Sequence, residues 1–418
     1  AMYRDLWVVD AEGRALPSRL LLRGETLSIR VEDVGATYPI TVDPTLLGIF
    51  NKMTAWDGAA HDEFGSAVAI DGDLALFGAY KDDDRGSSSG AVYFFARSGI
   101  SWLPQQKLTA WDGASFDYFG AAVAMSGEYA LVGARHDDDK GGGSGSAYMF
   151  RRSGNVWSYT QKLLASDGTT GDQFGTMVAM RGDQALITAP MDDPRGIDSG
   201  SAYVFARSGT TWSQTGKLTA GDGLASDSLG NSAAIRGDVA LVGASKQDSG
   251  GADAGAAYLF ARTGSAWSQQ QRITASNAGS GDMFGSAVGL ADGLALVGAR
   301  DEDTRANNGG AAYIFSRSGS TWTELQQITA QYGVASERFG SRLVADDDRL
   351  VVGGLGGSQF PGAAYVYLRT SGNVWAQTRR ITAGSTYQWG SYSTSLAMSG
   401  DTLLAGAPLA ADNGTSAG

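Results

Sequence analysis

From Gly65 onward, apolar and polar positions alternate in short runs separated by turn-forming residues. In the first stretch the runs are Gly65 to Ile70, Leu74 to Ala79, Ala91 to Ala96 and Ser101 to Thr109. Runs this short, rich in aromatic and β-branched residues, predict strands. Asp71-Gly72-Asp73 joins the first two and Ser98-Gly99 the last two, and both suit the positive φ of tight hairpins. The pattern therefore predicts four consecutive antiparallel strands.

The whole pattern then recurs. Lys52-Met53-Thr54-Ala55 has counterparts beginning at Lys107, Lys162, Lys217, Arg272 and Gln327, 55 residues apart, with a shorter copy at Arg380. Gly65, Gly120, Gly175, Gly230, Gly285 and Gly340 keep the same interval. Four antiparallel strands per repeat, about seven times over, describe the blades of an all-β propeller. Gly65, Ser66, Ala67 and Ala69 are small, as a crowded innermost strand requires. Trp102, Trp157, Trp212, Trp267, Trp322 and Trp375 open the fourth strands, where each would cover the outer flank of a blade.

The last copy stops half-way, because Gly406 matches Gly78 and Gly418 matches Gly90. Gly35 to Lys52 aligns without a gap on Gly90 to Lys107. The expectation is a seven-bladed propeller over residues 35–418, its last blade a composite of strands from both ends, with 35–55 closing the ring. Pro39 and Pro44 count against this, since proline removes ladder donors. The competing reading ends a preceding domain at Pro44. Residues 1–34 carry further strands, around Leu6-Trp7-Val8-Val9 and Leu20-Leu21-Leu22, with no repeat match.

Composition narrows the function classes. A net charge of -12 argues against nucleic acid as a partner and favours cations or cationic partners. With no cysteine there is no thiolate nucleophile, zinc-thiolate site or disulfide, and the two histidines are His61 and His136. No apolar run reaches membrane-span length. Ala1-Met2-Tyr3 has no signal-peptide character and is read as a cut within a longer protein, exported and monomeric.

Phe64-Gly65 followed by Gly78-Ala79-Tyr80, Phe119-Gly120 by Gly133-Ala134-Arg135, Phe284-Gly285 by Gly298-Ala299-Arg300, and the late Gly406-Ala407-Pro408 together resemble the FG-GAP repeat of integrin α-subunits and bacterial surface proteins. Leu229-Gly230 and Thr188-Ala189-Pro190 depart from it, and the last copy offers Tyr392-Ser393 or Trp389-Gly390. The resemblance spans residues 52–418 and implies a seven-bladed ring with roles in adhesion and ligand recognition. It does not carry the family's calcium loop, Asp-x-Asp-x-Asp-Gly between the first and second strands. Asp71-Gly72-Asp73, Ser126-Gly127-Glu128 and Arg181-Gly182-Asp183 are too short to wrap that cation.

Acidic residues gather instead in the second-to-third loops and the interblade loops, which leave by one face. In the first two blades they are Asp57, Asp62, Asp82, Asp83 and Asp84, then Asp112, Asp117, Asp137, Asp138 and Asp139. Either they satisfy local backbone donors in glycine-rich turns, or two loops converge on calcium. Trp56 and Trp111 break the repeat, as Ser166, Gly221 and Ser276 occupy the later copies, and Phe116, Tyr118 and Tyr80 are nearby in sequence. Such rings suit sugar stacking or a protein hot spot. The expected function is a secreted or cell-surface binding module for a glycan or protein, most plausibly neutral or cationic, assisted by calcium where it binds. The alternatives are a spacer in a large surface protein, and a polysaccharide lyase or hydrolase.

Overall fold

A computed structural model describes residues 7–12, 14, 16–23, 26–43, 51–331, 333–346, 348–356, 362–370, 374–382, 392–410 and 417–418. Contacts divide the chain into two units, Ala1–Met53 with Ser98–Trp102, and Thr54–Arg97 with Leu103–Gly418. In the first, Trp7–Val9 pairs with Thr41–Asp43 and Ser18–Arg23 with Thr26–Val31, both antiparallel. Asp10 organises its turn by accepting from the backbone N–H groups of Glu12 and Arg14 at 3.1 and 2.9 Å.

The repeat builds six four-stranded antiparallel sheets, each with its strands in chain order. The first contains Ala67–Asp71, Leu74–Ala79, Ala91–Ser98 and Ser101–Leu108, within two residues of the strand ends the alternation predicts. The other five span 119–163, 178–218, 232–273, 284–328 and 339–381. The apolar core lies between neighbouring sheets, as in the cluster joining Leu76, Val92 and Phe94 of the first to Val132, Tyr148 and Trp157 of the second.

Three contacts set the spacing between blades. A Cβ on Gly78 would overlap the carbonyl oxygen of Gly120, so the glycine ending one blade's second strand abuts the Phe-Gly glycine of the next. Gly133 with Gly175, Gly243 with Gly285, and Gly298 with Gly340 repeat it. The fourth-strand tryptophan packs on the blade before it, Trp157 stacking on Phe94 at 4.5 Å. Finally, the Gln106 amide accepts from Trp157 N–H at 2.9 Å and donates to its carbonyl at 3.0 Å. Gln161, Gln271 and Gln326 clamp Trp212, Trp322 and Trp375 in the same way. Gly216 stands where the clamp for Trp267 would be, and Trp267 is the more exposed for it.

The expected seven-bladed ring with a composite last blade is not what forms. Among the described residues there are six four-stranded blades, and Ser395–Ser399 with Thr402–Gly406 makes a two-stranded sheet. Thr41–Asp43, assigned to that blade from the sequence, pairs with Trp7–Val9 instead. Tyr38 is 66% exposed, whereas its aligned counterpart Tyr93 is fully buried. The third strand of every blade is paired on both sides, and Pro39 would place a residue without an N–H in that interior position. Pro44 and Trp389-Gly390 lie outside the described residues. The hairpin and the residues after it still meet the first blade: Ser395 Oγ donates to Gly65 O at 2.7 Å and Phe64 N–H to Ala417 O at 3.1 Å. Gly406 abuts Gly65 as Gly78 abuts Gly120.

Gly133→Ala should therefore cost about 1–3 kcal/mol, because its methyl group meets backbone that cannot step aside. Gly142→Ala, where a Cβ meets nothing within 4 Å, should stay within about 0.5 kcal/mol. Urea unfolding of the two variants checks the difference, and equal losses would contradict it.

Candidate functional site

Strand three of the first, second, third, fifth and sixth blades carries a tyrosine whose ring is buried against the phenylalanine of Phe-Gly, Phe119 meeting Tyr148 edge-on at 5.2 Å. Its hydroxyl reaches the loop face. Tyr148 OH lies 2.8 Å from Asp112 Oδ1 and from Asp137 Oδ2. Lys162 Nζ sits among Asp112, Asp137 and Asp139 at 2.8, 2.9 and 2.6 Å. An ammonium has three donors, and three carboxylates receive them. In the first blade Lys107 Nζ meets Asp57, Asp82 and Asp84 at 2.9, 2.8 and 2.7 Å, with Tyr93 OH 2.9 Å from both Asp57 and Asp82.

Electrostatics agree with that bonding. Burial pulls Asp57 and Asp112 upward, but hydrogen bonds from lysine and tyrosine outweigh it and hold both below the ordinary carboxylate value. Burial likewise opposes the charge on Lys107 and Lys162, and the surrounding carboxylates more than restore it, raising both. Burial, then the charges of Asp82 and Asp137, keep the two tyrosines protonated.

The remaining aspartates serve the backbone. Asp62 and Asp117 accept from the N–H groups of Ala59 and Ala114 at 2.6 and 2.7 Å. Asp83 and Asp138 accept from Ser88 and Gly143 N–H at 2.6 and 2.7 Å. Asp82 and Asp137 also accept from the N–H groups of Asp84 and Asp139 at 3.1 and 3.2 Å. Of the residues expected to hold calcium, Asp112, Asp137 and Asp139 could converge on a metal ion, their nearest oxygens lying within 4.8 Å of one another. The Lys162 ammonium stands among them.

Other blades vary the cage, and in the fourth the buried Tyr258 hydroxyl has no hydrogen-bond partner among the described residues. Pro194 removes one arm in the third, leaving Lys217 on Asp167 and Asp192 at 2.7 and 2.6 Å. In the fifth, Asn277 and Gln327 replace aspartate and lysine together, and Tyr313 OH donates to Asn277 Oδ1 at 2.7 Å. In the fifth blade, then, a carboxylate and an ammonium are lost together. That covariation, Lys107 with Asp57 and Gln327 with Asn277, was available from the internal repeats and is the signal that sequence reasoning missed.

The aromatic candidates fall into two groups. Trp56, half exposed, meets Tyr93 and Phe95 edge-on at 5.0 and 5.8 Å, and Trp111 lies 6.2 Å from Tyr159. Tyr80 and Tyr118 meet at 5.5 Å, and Tyr118 is 4.9 Å from the His136 ring. Among the described residues no ring contact joins either tryptophan to that second group. The Arg135 guanidinium lies over Tyr80 and Tyr118 at 5.8 and 5.4 Å, while Lys81 Nζ pairs with Glu63 at 2.7 Å. Beside them an open depression of about 310 Å³ is lined by Ser115, Phe116, His136, Asp138, Gly143, Gly171 and Gln173. Phe116 is 54% exposed there. Burial, then the charge of Arg135, lowers the His136 pKa against the opposing pull of Asp138. Residues just after Gly-Ala and just before Phe-Gly differ from blade to blade: Tyr80, Arg135, Pro190, Ser245 and Arg300, and Glu63, Tyr118, Gln173, Ser228 and Met283. The repeat fixes their place and leaves their chemistry free.

Two outcomes test the cage. Lys162→Met should destabilise the fold by on the order of 2 kcal/mol, as it strands partly buried carboxylates. Millimolar-scale calcium should raise the melting temperature of that variant and not of the parent. Burial, then the charges of Asp137 and Asp138, lifts Asp117 from 3.8 to about 6. The folded state therefore holds this proton more tightly than the unfolded chain, and the group's stability contribution is lost as pH rises through about 6. Asp117→Asn keeps an acceptor for Ala114 N–H, so it should be more stable than the parent at neutral pH, with the gap shrinking as pH falls through about 6 and gone only below the ordinary carboxylate value of 3.8. Melting curves across pH read both, and a gap independent of pH would contradict the assignment.

The FG-GAP repeat profile matches residues 50–95, 102–150, 157–205, 212–260, 267–315 and 322–367, which is more than half of the chain. Each match after the first runs from the fourth strand of one blade through the third strand of the next, so the six matches follow the six four-stranded blades one strand out of step. The fold is also that of a protein from Lactobacillus plantarum known from a crystal structure, with a TM-score of 0.53 and 14% identity over 90% of this chain and 96% of that one. No curated protein matches the sequence. Six matched repeats, with paired glycines at four of the five junctions between successive blades, mean that this chain belongs to the FG-GAP repeat family.

Proposed function

We propose that the propeller is a binding module, secreted or displayed at a cell surface, whose loop face recognises a neutral glycan or a protein segment. The observation that carries this is the depression beside Phe116, because its variable side chains are those the repeat leaves free. An exposed aromatic ring next to Asp138, His136 and Gln173 supplies a stacking platform and polar groups for hydroxyls. Tyr80 and Tyr118 extend the surface, and Trp56 and Trp111 offer a second one.

The same geometry supports binding over catalysis. The abundant carboxylates are committed to lysine, tyrosine and backbone donors, and general acid–base work needs a carboxyl free to exchange its proton with substrate. The lysine ammonium supplies the positive charge that calcium would bring to these loops, so recognition proceeds without added metal. Among the described residues no helix is long and apolar enough to cross a membrane.

Screening on an array of neutral, cationic and anionic glycans, followed by calorimetry with a hit, tests the reading. Phe116→Ala should weaken binding about tenfold, or about 1.4 kcal/mol. A hit bound equally by Phe116→Ala but lost in the Trp56→Ala, Trp111→Ala double variant would move the site to the tryptophans. Unchanged affinity in all of them would refute the loop-face assignment.

A further inference from the structure

The depression beside Phe116 exists because the second blade lacks side chains that the first one carries. Where the first has Ser88, Phe116 and Tyr118, the second has Gly143, Gly171 and Gln173. A Cβ on Gly143 or Gly171 would meet nothing within 4 Å, so open space stands in place of a side chain. Phe116 keeps its ring there against the preference of its own backbone. Its φ is 70°, a conformation that strains a bulky residue, and the corresponding residues before the third and fifth blades are Gly171 and Gly281. We infer that this depression binds a primary ammonium, on a lysine side chain or an amino sugar, with Asp138 as its counter-ion and the Phe116 ring as its apolar wall.

The inference rests on the reading of the depression as a binding site and names what it takes. Charge around it is one-sided. Asp138 Oδ1 accepts from Gly143 N–H at 2.7 Å, which fixes the carboxylate and leaves it without an ion pair among the described residues. No lysine or arginine is among the residues that line the depression. Arg135, next to His136 in the chain, lies over the rings of Tyr80 and Tyr118. The first blade has Lys81 where the second has His136. Burial, then the charge of Arg135, lowers the His136 pKa below the ordinary value of 6.5, so at neutral pH the imidazole is uncharged and keeps an acceptor nitrogen. An ammonium brings one positive charge and three donors. Asp138 answers the charge, while His136, Ser115 and Gln173 supply further acceptors around it. An aromatic face attracts a cation that lies within about 6 Å of its centre, so Phe116 serves the same ligand.

The test is calorimetric titration of the full chain at physiological ionic strength, where the net charge of -12 is screened. The probes are Nα-acetyl-lysine amide and its Nε-acetylated form, and a glucosamine tetramer and its N-acetylated form. Saturable binding of a free amine is expected, about tenfold tighter or more than that of its acetylated form. The tighter of the two amines identifies the source. Asp138→Asn keeps an acceptor for Gly143 N–H and should lower that affinity about tenfold. Asp83→Asn, the same change in the first blade, should leave it unaltered. His136→Lys, which installs the first blade's residue, should abolish binding. Equal affinity for an amine and its acetylated form, with both weakened by Phe116→Ala, would overturn the ammonium and keep the depression as the site. Affinity unchanged in Phe116→Ala would overturn the site itself. Absence of saturable heat with either amine, or unaltered affinity in Asp138→Asn, would overturn the inference.

Discussion

Everything in this propeller follows from how closely one blade can approach the next. The carbonyl of Gly120 lies where a side chain on Gly78 would be, and the same contact recurs between Gly133 and Gly175 and between Gly406 and Gly65. Only a pair of residues without Cβ atoms allows it. Where Thr188 replaces one partner, Gly230 opposite has a φ of 112°, wider than the 83–94° of the other Phe-Gly glycines. At the outer radius the spacing is held by Trp157 on Phe94 and by the Gln106 amide on the Trp157 backbone.

Fixed inner and outer contacts give each blade a standard loop face, and that face divides by radius. Tyrosine, lysine and aspartate build a hydrogen-bonded cage above each of the first three blades, with the ammonium at its centre. Nearer the axis, the residues beside the paired glycines have no such duty. Tyr80, Tyr118 and His136 gather in one place, and Arg300 and Arg338 meet at Asp301 in another. A constant scaffold can therefore present unrelated chemistries at equivalent positions, which suits recognition.

The period and the strands were legible in the sequence because they are local. Leu74–Ala79 is found where the alternation puts it, and the acidic loops share a face as strand order requires. Closure was not legible. Gly35 to Lys52 matches a blade segment residue by residue, yet Thr41–Asp43 takes Trp7–Val9 as its partner, and similarity of pattern does not specify which strand a segment pairs with. The carboxylates were legible as a group of acidic loop residues, but their lysine partner was not, because Lys107 is 50 residues from Asp57 in the chain and meets it only across the fold.

The central claim is that a lysine ammonium, and not a metal ion, completes the loop cage. The most direct measurement is a crystal structure from calcium-containing solution, with anomalous scattering recorded at the second blade. The account predicts Lys162 Nζ at 2.6–2.9 Å from Asp112, Asp137 and Asp139, with no anomalous peak among them. A peak with oxygens at about 2.3–2.6 Å, and Lys162 displaced from the carboxylates, would contradict it.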